Sequence, residues 1–509
     1  MALAKSWSVA LVGLAGHPIE VEADLAKGIP GLSITGLPDA SLNEARDRLR
    51  AAFANSGGQW PSDKKVTIGL GPAWLPKRGS GFDIALAAAV LCADEVVPQE
   101  ALRDVVLIGE LGLDGSVRGV AGVLPALISV RTGFRTAIVP AANLAEAQLV
   151  PDLRVVGVRS LRDLVHLLRG DARDEVVAPP PGELMPPAVG DYLDVRGQPL
   201  GRLACEVAAA GGHNLLMTGP PGCGKTLLAE RLPSILPPLT VEESLQVTQI
   251  HSVAGVLPAE ALVRHAPFQA PHHSSSQAAL IGGGSGLAKP GAASLAHRGV
   301  LFLDEAPEFR GQVLDALRQP LERGEVSLSR VHGTATYPAR FSLVLAANPC
   351  PCAQVGTACT CTPNRRRTYL SRLSGPLLDR IDITVEMQAI CRADVMADTF
   401  GEDSAVIAER VSQARAAAAS RFVGTPYLRN ADVAPTDLAR LWPLSREALA
   451  PLGAAIDAGT LTARGYGRVQ RLAWTLADLQ GRPSPTADDA SAALSLRLGP
   501  GKPAEGWAA

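Results

Sequence analysis

The stretch "GPPGCGKT", residues 219 to 226, restricts this chain more than any other. It fits G-x-x-x-x-G-K-[ST] and lies between an apolar strand, "NLLM", and a helix, "TLLAERL", which is the context the pattern demands. Such a loop curls so that its N–H groups face phosphate oxygens at a helix N-terminus, where the helix dipole also favours an anion. Gly219, Gly222 and Gly224 allow the curl, and Pro220, Pro221, Cys223 and Leu227 complete the cradle. Lys225 is placed to reach the β- and γ-phosphates, and Thr226 offers its hydroxyl to Mg²⁺. A parallel sheet with crossover helices follows as the expected fold.

"GVLFLDE" supplies a second half for this site. Four apolar residues make a buried strand that delivers Asp304 and Glu305 at its C-terminal end, where α/β sheets place ligands. Asp304 suits the Mg²⁺ shell, and Glu305 suits a carboxylate that orients or deprotonates water, so hydrolysis is expected and not binding alone. A third strand, "FSLVLAANP", ends in Asn348, a polar side chain available to a γ-phosphate or the attacking water. "SGPLLDRID" places Arg380 between helix and loop, where by itself it reads as a surface ion pair.

A chain of 509 residues exceeds what one core supports, and three regions are legible. Residues 1–170 alternate short strands ("SVALVG", "KVTIGL", "DVVLIGEL", "TAIVPA", "LRVVGV") with the helices "NEARDRLRAAFANSG" and "FDIALAAAVLCA". Residues 171–189 are proline-rich and read as a linker. The span 190–390 carries the phosphate site, and 391–509 is alanine- and arginine-rich with helical periodicity. No apolar run reaches the roughly 18 residues of a membrane span. A net charge of −2 gives no bulk attraction for nucleic acid, so such binding must come from local surfaces such as "NRRRTYLSRLS", residues 364–374, or must be absent. Cysteine usage suits a reducing cytoplasm.

Four of the eight cysteines, Cys350, Cys352, Cys359 and Cys361, form two Cys-x-Cys pairs just after Asn348. Three readings stay open: a Zn²⁺ site, four free thiols, or a redox pair. The adjacent His272 and His273 lack a third ligand nearby in sequence and read as a local turn.

Together the motifs "GIPGLSITGLPDAS", "LPKRGSGFDIALAAAVL", "AAAGGHNLLMTGPPGCGKT", "PFQAPHHSSSQAALIGGG", "KPGAASLAHRGVLFLDE", "LRQPLERGEVSLSR" and "SGPLLDRID" resemble the ComM/YifB family of magnesium-chelatase-like AAA+ ATPases along nearly the whole chain. The family's pattern differs here at Gln269, Gly69, Trp74 and Ala292. The resemblance implies ATP as substrate and an AAA+ core followed by a helical lid. It implies a homo-oligomeric ring, hexameric in the family, that acts on DNA in branch migration. Asn348 would be the first sensor, Arg380 a finger acting in a neighbouring subunit, and Arg464 the lid sensor, with Arg468 as its alternative. The resemblance also implies an insert around "ALIGGGSGLAKPGAASLAH" and a hairpin in "GEVSLSRVHGTATYPARF", with Arg330 and His332 as candidate DNA contacts. A different class, remodelling of a protein partner as by a magnesium-chelatase subunit, stays open beside it.

Residues 7–170 also resemble the proteolytic domain of Lon. At the nucleophile position stands Gly81, with Ser80 one place off, and Leu124 occupies the place of the lysine base. The fold without the proteolysis is expected.

Overall fold

A computed structural model of the chain describes residues 2–36, 39–77, 79–171, 190–256, 262–284, 288–330, 333–354, 359–390 and 401–499. The expected linker beyond Asp171, the contact candidate His332 and the side chain of Arg330 lie outside the described residues.

In the N-terminal part, Ala2–Val12 and Ala15–Ala26 form an antiparallel hairpin turned by Gly13, which sits at φ +66°. The second strand then pairs with Lys65–Gly71, which also receives Gly31–Thr35 in parallel. Ala15–Ala26 and Gly31–Thr35 add to the strands expected from sequence. The alternation "IEVEADL" buries Ile19, Val21, Ala23 and Leu25 on one face and turns the acids outward, which is period-two burial. The apolar run Asp83–Ala93 is a helix buried on every side, the condition under which a helix need not be amphipathic. Asp83 at its start is fully buried and takes a bidentate pair from Arg48, at 2.7 and 3.0 Å. A second, parallel sheet of Val105–Leu107, Thr136–Pro140 and Arg154–Val158 completes this part.

The central part is a five-stranded parallel sheet in the order Phe268–Gln269, Val300–Leu303, Ser342–Ala347, Leu215–Thr218, Ile383–Glu386. "VLFL" and "SLVLAA" are buried at every position, as strands covered on both faces must be. This is the expected AAA+ architecture. A hairpin of Glu325–Arg330 and Gly333–Pro338 precedes the strand Ser342–Ala347 that leads into Asn348, where the resemblance put one.

The C-terminal part is helical, with Ser404–Arg421, Pro435–Leu441, Arg446–Asp457, Ala463–Leu479 and Ala487–Leu498. Leu472, Trp474 and Leu476 join Leu215, Met217 and Val385 of the sheet in one apolar core. On the other side, the N-terminal helix Val123–Val130 packs against Val241–Ala254, and Ser252 donates to the Glu146 carboxylate. Leu14, Val253 and Tyr337 close that junction.

Candidate functional site

Three strand ends build one half of the site. Because Thr218 lies opposite Ala347 and Leu303 opposite Leu345, the loop after Thr218, the residue after Ala347 and the pair after Leu303 emerge side by side at the C-terminal edge of the sheet. The loop residues Gly222 and Gly224 take φ +75° and +93°, left-handed values that side chains resist. At Gly219 the obstacle is space, since a Cβ there would stand 2.7 Å from the Met387 carbonyl oxygen. Cys223 turns its side chain into the core, and Lys225 opens the helix Lys225–Arg231.

The Lys225 ammonium is buried and held by the carbonyls of Gly219 and Pro220 at 2.7 and 2.8 Å and by the Asn348 side-chain oxygen at 3.2 Å. The Thr226 hydroxyl donates to Asp304 at 2.7 Å, and the other Asp304 oxygen accepts from the Glu305 N–H at 2.8 Å. Hydroxyl and carboxylate oxygens so converged are the hard donor set that Mg²⁺ prefers. Glu305 adopts φ +50°, an uncommon conformation for a side-chain-bearing residue and one that recurs at functional sites. Its carboxylate is half-exposed and lies 3.4 Å from the ring Nδ1 of His273.

That contact alters the reading of the histidine pair. His272 does close a local turn, with its Nδ1 2.8 Å from the Ser274 hydroxyl. His273 instead faces Glu305 from the loop that follows the edge strand. No spacing rule links residues so far apart in sequence, and only the pairing of Phe268–Gln269 with Val300–Leu301 brings them together.

Arg380, Arg464 and Arg468 lie elsewhere. They line a cavity of about 700 Å³ with Asn214, Phe341 and Asp382, the residues that start or immediately precede three of the strands. This is the N-terminal edge of the sheet, opposite Lys225. Arg380 is in an ion pair with Glu322, as its isolated reading expected. Arg464 pairs with Asp379 at 2.9 Å and stays largely exposed, whereas Arg468 is mostly buried and paired with Asp382. Burial works to raise the Asp382 carboxyl, but His213 and the Arg468 charge outweigh it and hold it below the usual carboxylate range. Burial, with the charges of Arg318, Arg468 and Arg464, pulls the Arg380 guanidinium down from its ordinary value. Within one chain these arginines and Lys225 therefore stand at opposite edges of the sheet.

The four clustered cysteines are brought together, with their sulfurs all within 4.8 Å of one another. In the N-terminal part, Ser80 donates to Glu110, while Leu124, at the place of Lon's lysine, is wholly buried in an apolar cluster with Val106, Leu127 and Val139. Among the described residues no helix is long and apolar enough to cross a membrane.

Comparison with known proteins gives the family. Family models described as "Magnesium chelatase, subunit ChlI", "Subunit ChlI of Mg-chelatase" and "Magnesium chelatase, subunit ChlI C-terminal" match residues 191–395, 21–143 and 401–497. The chain is 52% identical over 502 residues to an uncharacterized protein of Mycobacterium tuberculosis, covering 98% of this chain and 99% of the relative. It is 39% identical over 493 residues to YifB of Escherichia coli, covering 96% of each. It is 38% identical over 487 residues to the competence protein ComM of Haemophilus influenzae, covering 94% of each. A weaker similarity, 24% over 183 residues, links it to Lon protease 2 of Bacillus subtilis. With the strand order, the phosphate loop and these full-length matches together, the chain belongs to the ComM/YifB family of magnesium-chelatase-like AAA+ ATPases.

Proposed function

We propose that this protein is an ATP-hydrolysing ring motor that acts on DNA as a branch-migration helicase, in recombination or in the uptake of DNA by competent cells. The observation that carries the ring is the separation of its two half-sites. Lys225, Thr226, Asp304, Glu305 and Asn348 stand at one edge of the sheet, and Arg380 and Arg464 at the other. Head-to-tail packing of identical subunits, closing as a hexamer, sets the arginines of one chain against the nucleotide of the next.

In this reading Gly219 to Leu227 wrap the phosphates of ATP, and Lys225 exchanges its carbonyl partners for the β- and γ-phosphate oxygens. Thr226 and Asp304 would hold Mg²⁺, which would supply charge neutralisation at the β- and γ-oxygens. Glu305 orients the attacking water and takes its proton, with His273 holding the carboxylate in place. Asn348 senses the γ-phosphate. A neighbour's Arg380 offsets charge developing on the transferred group, and Arg464 assists from the lid. Cys350, Cys352, Cys359 and Cys361 would hold Zn²⁺ as a structural ion beside the nucleotide site.

DNA is favoured by the relationship to a protein named for competence and by the exposed arginines of the helix Pro363–Leu370. The magnesium-chelatase descriptions favour a second reading, remodelling of a protein partner. Unwinding of a branched DNA substrate by the full chain, with Lys225→Ala and Glu305→Gln as controls, separates the two. Strand movement that needs ATP, and ATPase stimulation by DNA that falls as salt rises, are expected. An active ATPase that moves no strand overturns the DNA reading.

A further inference from the structure

The residue after Ala347 is bracketed by one excursion of the chain. Asn348 leads through Pro349 directly to Cys350, and the helix Pro363–Leu370 returns to set the buried Tyr369 hydroxyl beside the Asn348 backbone. The four cysteines lie on this excursion. Cys350 Sγ is 3.3 Å from Cys352 Sγ and 3.5 Å from Cys359 Sγ, and Cys352 and Cys359 are 3.5 Å apart. Four thiolates bound at about 2.3 Å to one Zn²⁺ stand roughly 3.8 Å apart at the corners of a tetrahedron, so the cluster needs only a slight expansion to admit the ion.

Local structure supports the same assignment. Ala353 adopts φ +56° and its N–H returns to the Cys350 carbonyl at 3.1 Å, a turn that aims both sulfurs of Cys-Pro-Cys to one side. The Arg366 guanidinium donates to Cys359 Sγ at 3.1 Å, a cation placed to offset the negative charge of a tetrathiolate site. Cys92, Cys205 and Cys223, by contrast, are buried singly, Cys92 beside the Gln99 amide, Cys205 beside Tyr192 and Cys223 beside the Lys225 ammonium.

We infer that Zn²⁺ held by Cys350, Cys352, Cys359 and Cys361 is a splint that positions Asn348, so that metal occupancy sets the rate of ATP hydrolysis without setting the affinity for ATP. The inference rests on the role proposed for Asn348. The two ends of the excursion both meet the sensor, one through Pro349 and the other through Tyr369, and the metal is what would join them. Lys225 touches Asn348 but is held independently by the Gly219 and Pro220 carbonyls, so phosphate binding survives loss of the splint.

The test uses the full-length protein. Metal analysis is expected to find about one zinc per chain, lost in a Cys352→Ser/Cys359→Ser variant and kept in Cys92→Ala. Co²⁺ in its place should show the visible bands of a tetrahedral thiolate site. Zinc-depleted protein should bind a fluorescent ATP analogue as before and lose about 10-fold in kcat, restored by added Zn²⁺. In an Asn348→Ala background, depletion should cost nothing further. A wild-type chain that holds no zinc and takes none up overturns both the metal and the splint. Zinc whose removal leaves kcat unchanged, or lowers it equally in the Asn348→Ala background, overturns the splint alone. Failure of the ATPase reading shows separately, as a Lys225→Ala variant that hydrolyses ATP at the wild-type rate.

Discussion

The Lys225 ammonium stands 3.2 Å from the side-chain oxygen of Asn348, joining the loop after one strand to the end of its neighbour. The contact exists because Leu215–Thr218 and Ser342–Ala347 pair in parallel with Thr218 opposite Ala347, so their C-terminal ends finish level. Asn348→Ala removes the polar group proposed to act on the γ-phosphate while leaving the loop intact. Its expected effect is a fall of about 10²-fold in kcat with little change in ATP affinity, the scale seen when one preorganised donor is lost. Lys225→Ala should abolish both. Steady-state kinetics alongside nucleotide titration separates the two variants.

His273 and Glu305 are placed 3.4 Å apart. Glu305→Gln should hold ATP without turning it over, because the amide keeps the shape and loses the basicity. His273→Ala should lower kcat by about 10-fold, less than the roughly 10²–10⁴-fold a general base itself contributes because the histidine only positions it, and leave thermal stability unchanged, since both side chains are partly exposed. Equal rates for wild type and His273→Ala would remove the histidine from the mechanism.

Lys225→Ala and Arg380→Ala should each be inactive alone, yet a mixture should regain hydrolysis. A chain with intact Lys225 can then neighbour one with intact Arg380. The expected recovery reaches a substantial fraction of the wild-type rate and disappears in the double variant. An absence of recovery, with rings forming normally, would place both residues in the same site.

Asp382 is 3% exposed and faces Arg468 and His213 from the start of the edge strand. Its folded-state pKa is depressed, so the stability it contributes is present above the ordinary carboxylate range and is lost as pH falls below about 4. Asp382→Asn should cost about 3–5 kcal/mol, because Arg468 is left mostly buried without its counter-charge, and should flatten the acid limb of the stability curve. Denaturant unfolding across pH measures both effects.

The phosphate loop, the "LFLDE" strand and the long helices could be read from the chain because each is a local pattern: glycines that permit left-handed backbone, a run of apolar residues before a carboxylate, a repeat near 3.6 residues. The strand Ala15–Ala26 was not among those expected, although "IEVEADL" alternates with period two, because its small residues weaken the signal. The run Asp83–Ala93 was recognisable as a helix, but its burial on every face depends on the sheets around it.

Other relationships had no local signature. Sequence determined that Lys225, Asp304, Glu305 and Asn348 would each end or follow a strand, since local apolar patterning specifies where strands stop. It placed four cysteines within twelve positions and left open whether they converge, which the fold of the loop decided. Tertiary structure decided that the three strands are neighbours, that His273 meets Glu305, and that Arg380 and Arg464 stand at the far edge of the sheet from the phosphate loop. The physical reason is that strand order and register come from long-range pairing of faces that are all equally apolar, and no short stretch of "VLFL" or "SLVLAA" encodes which neighbour it takes.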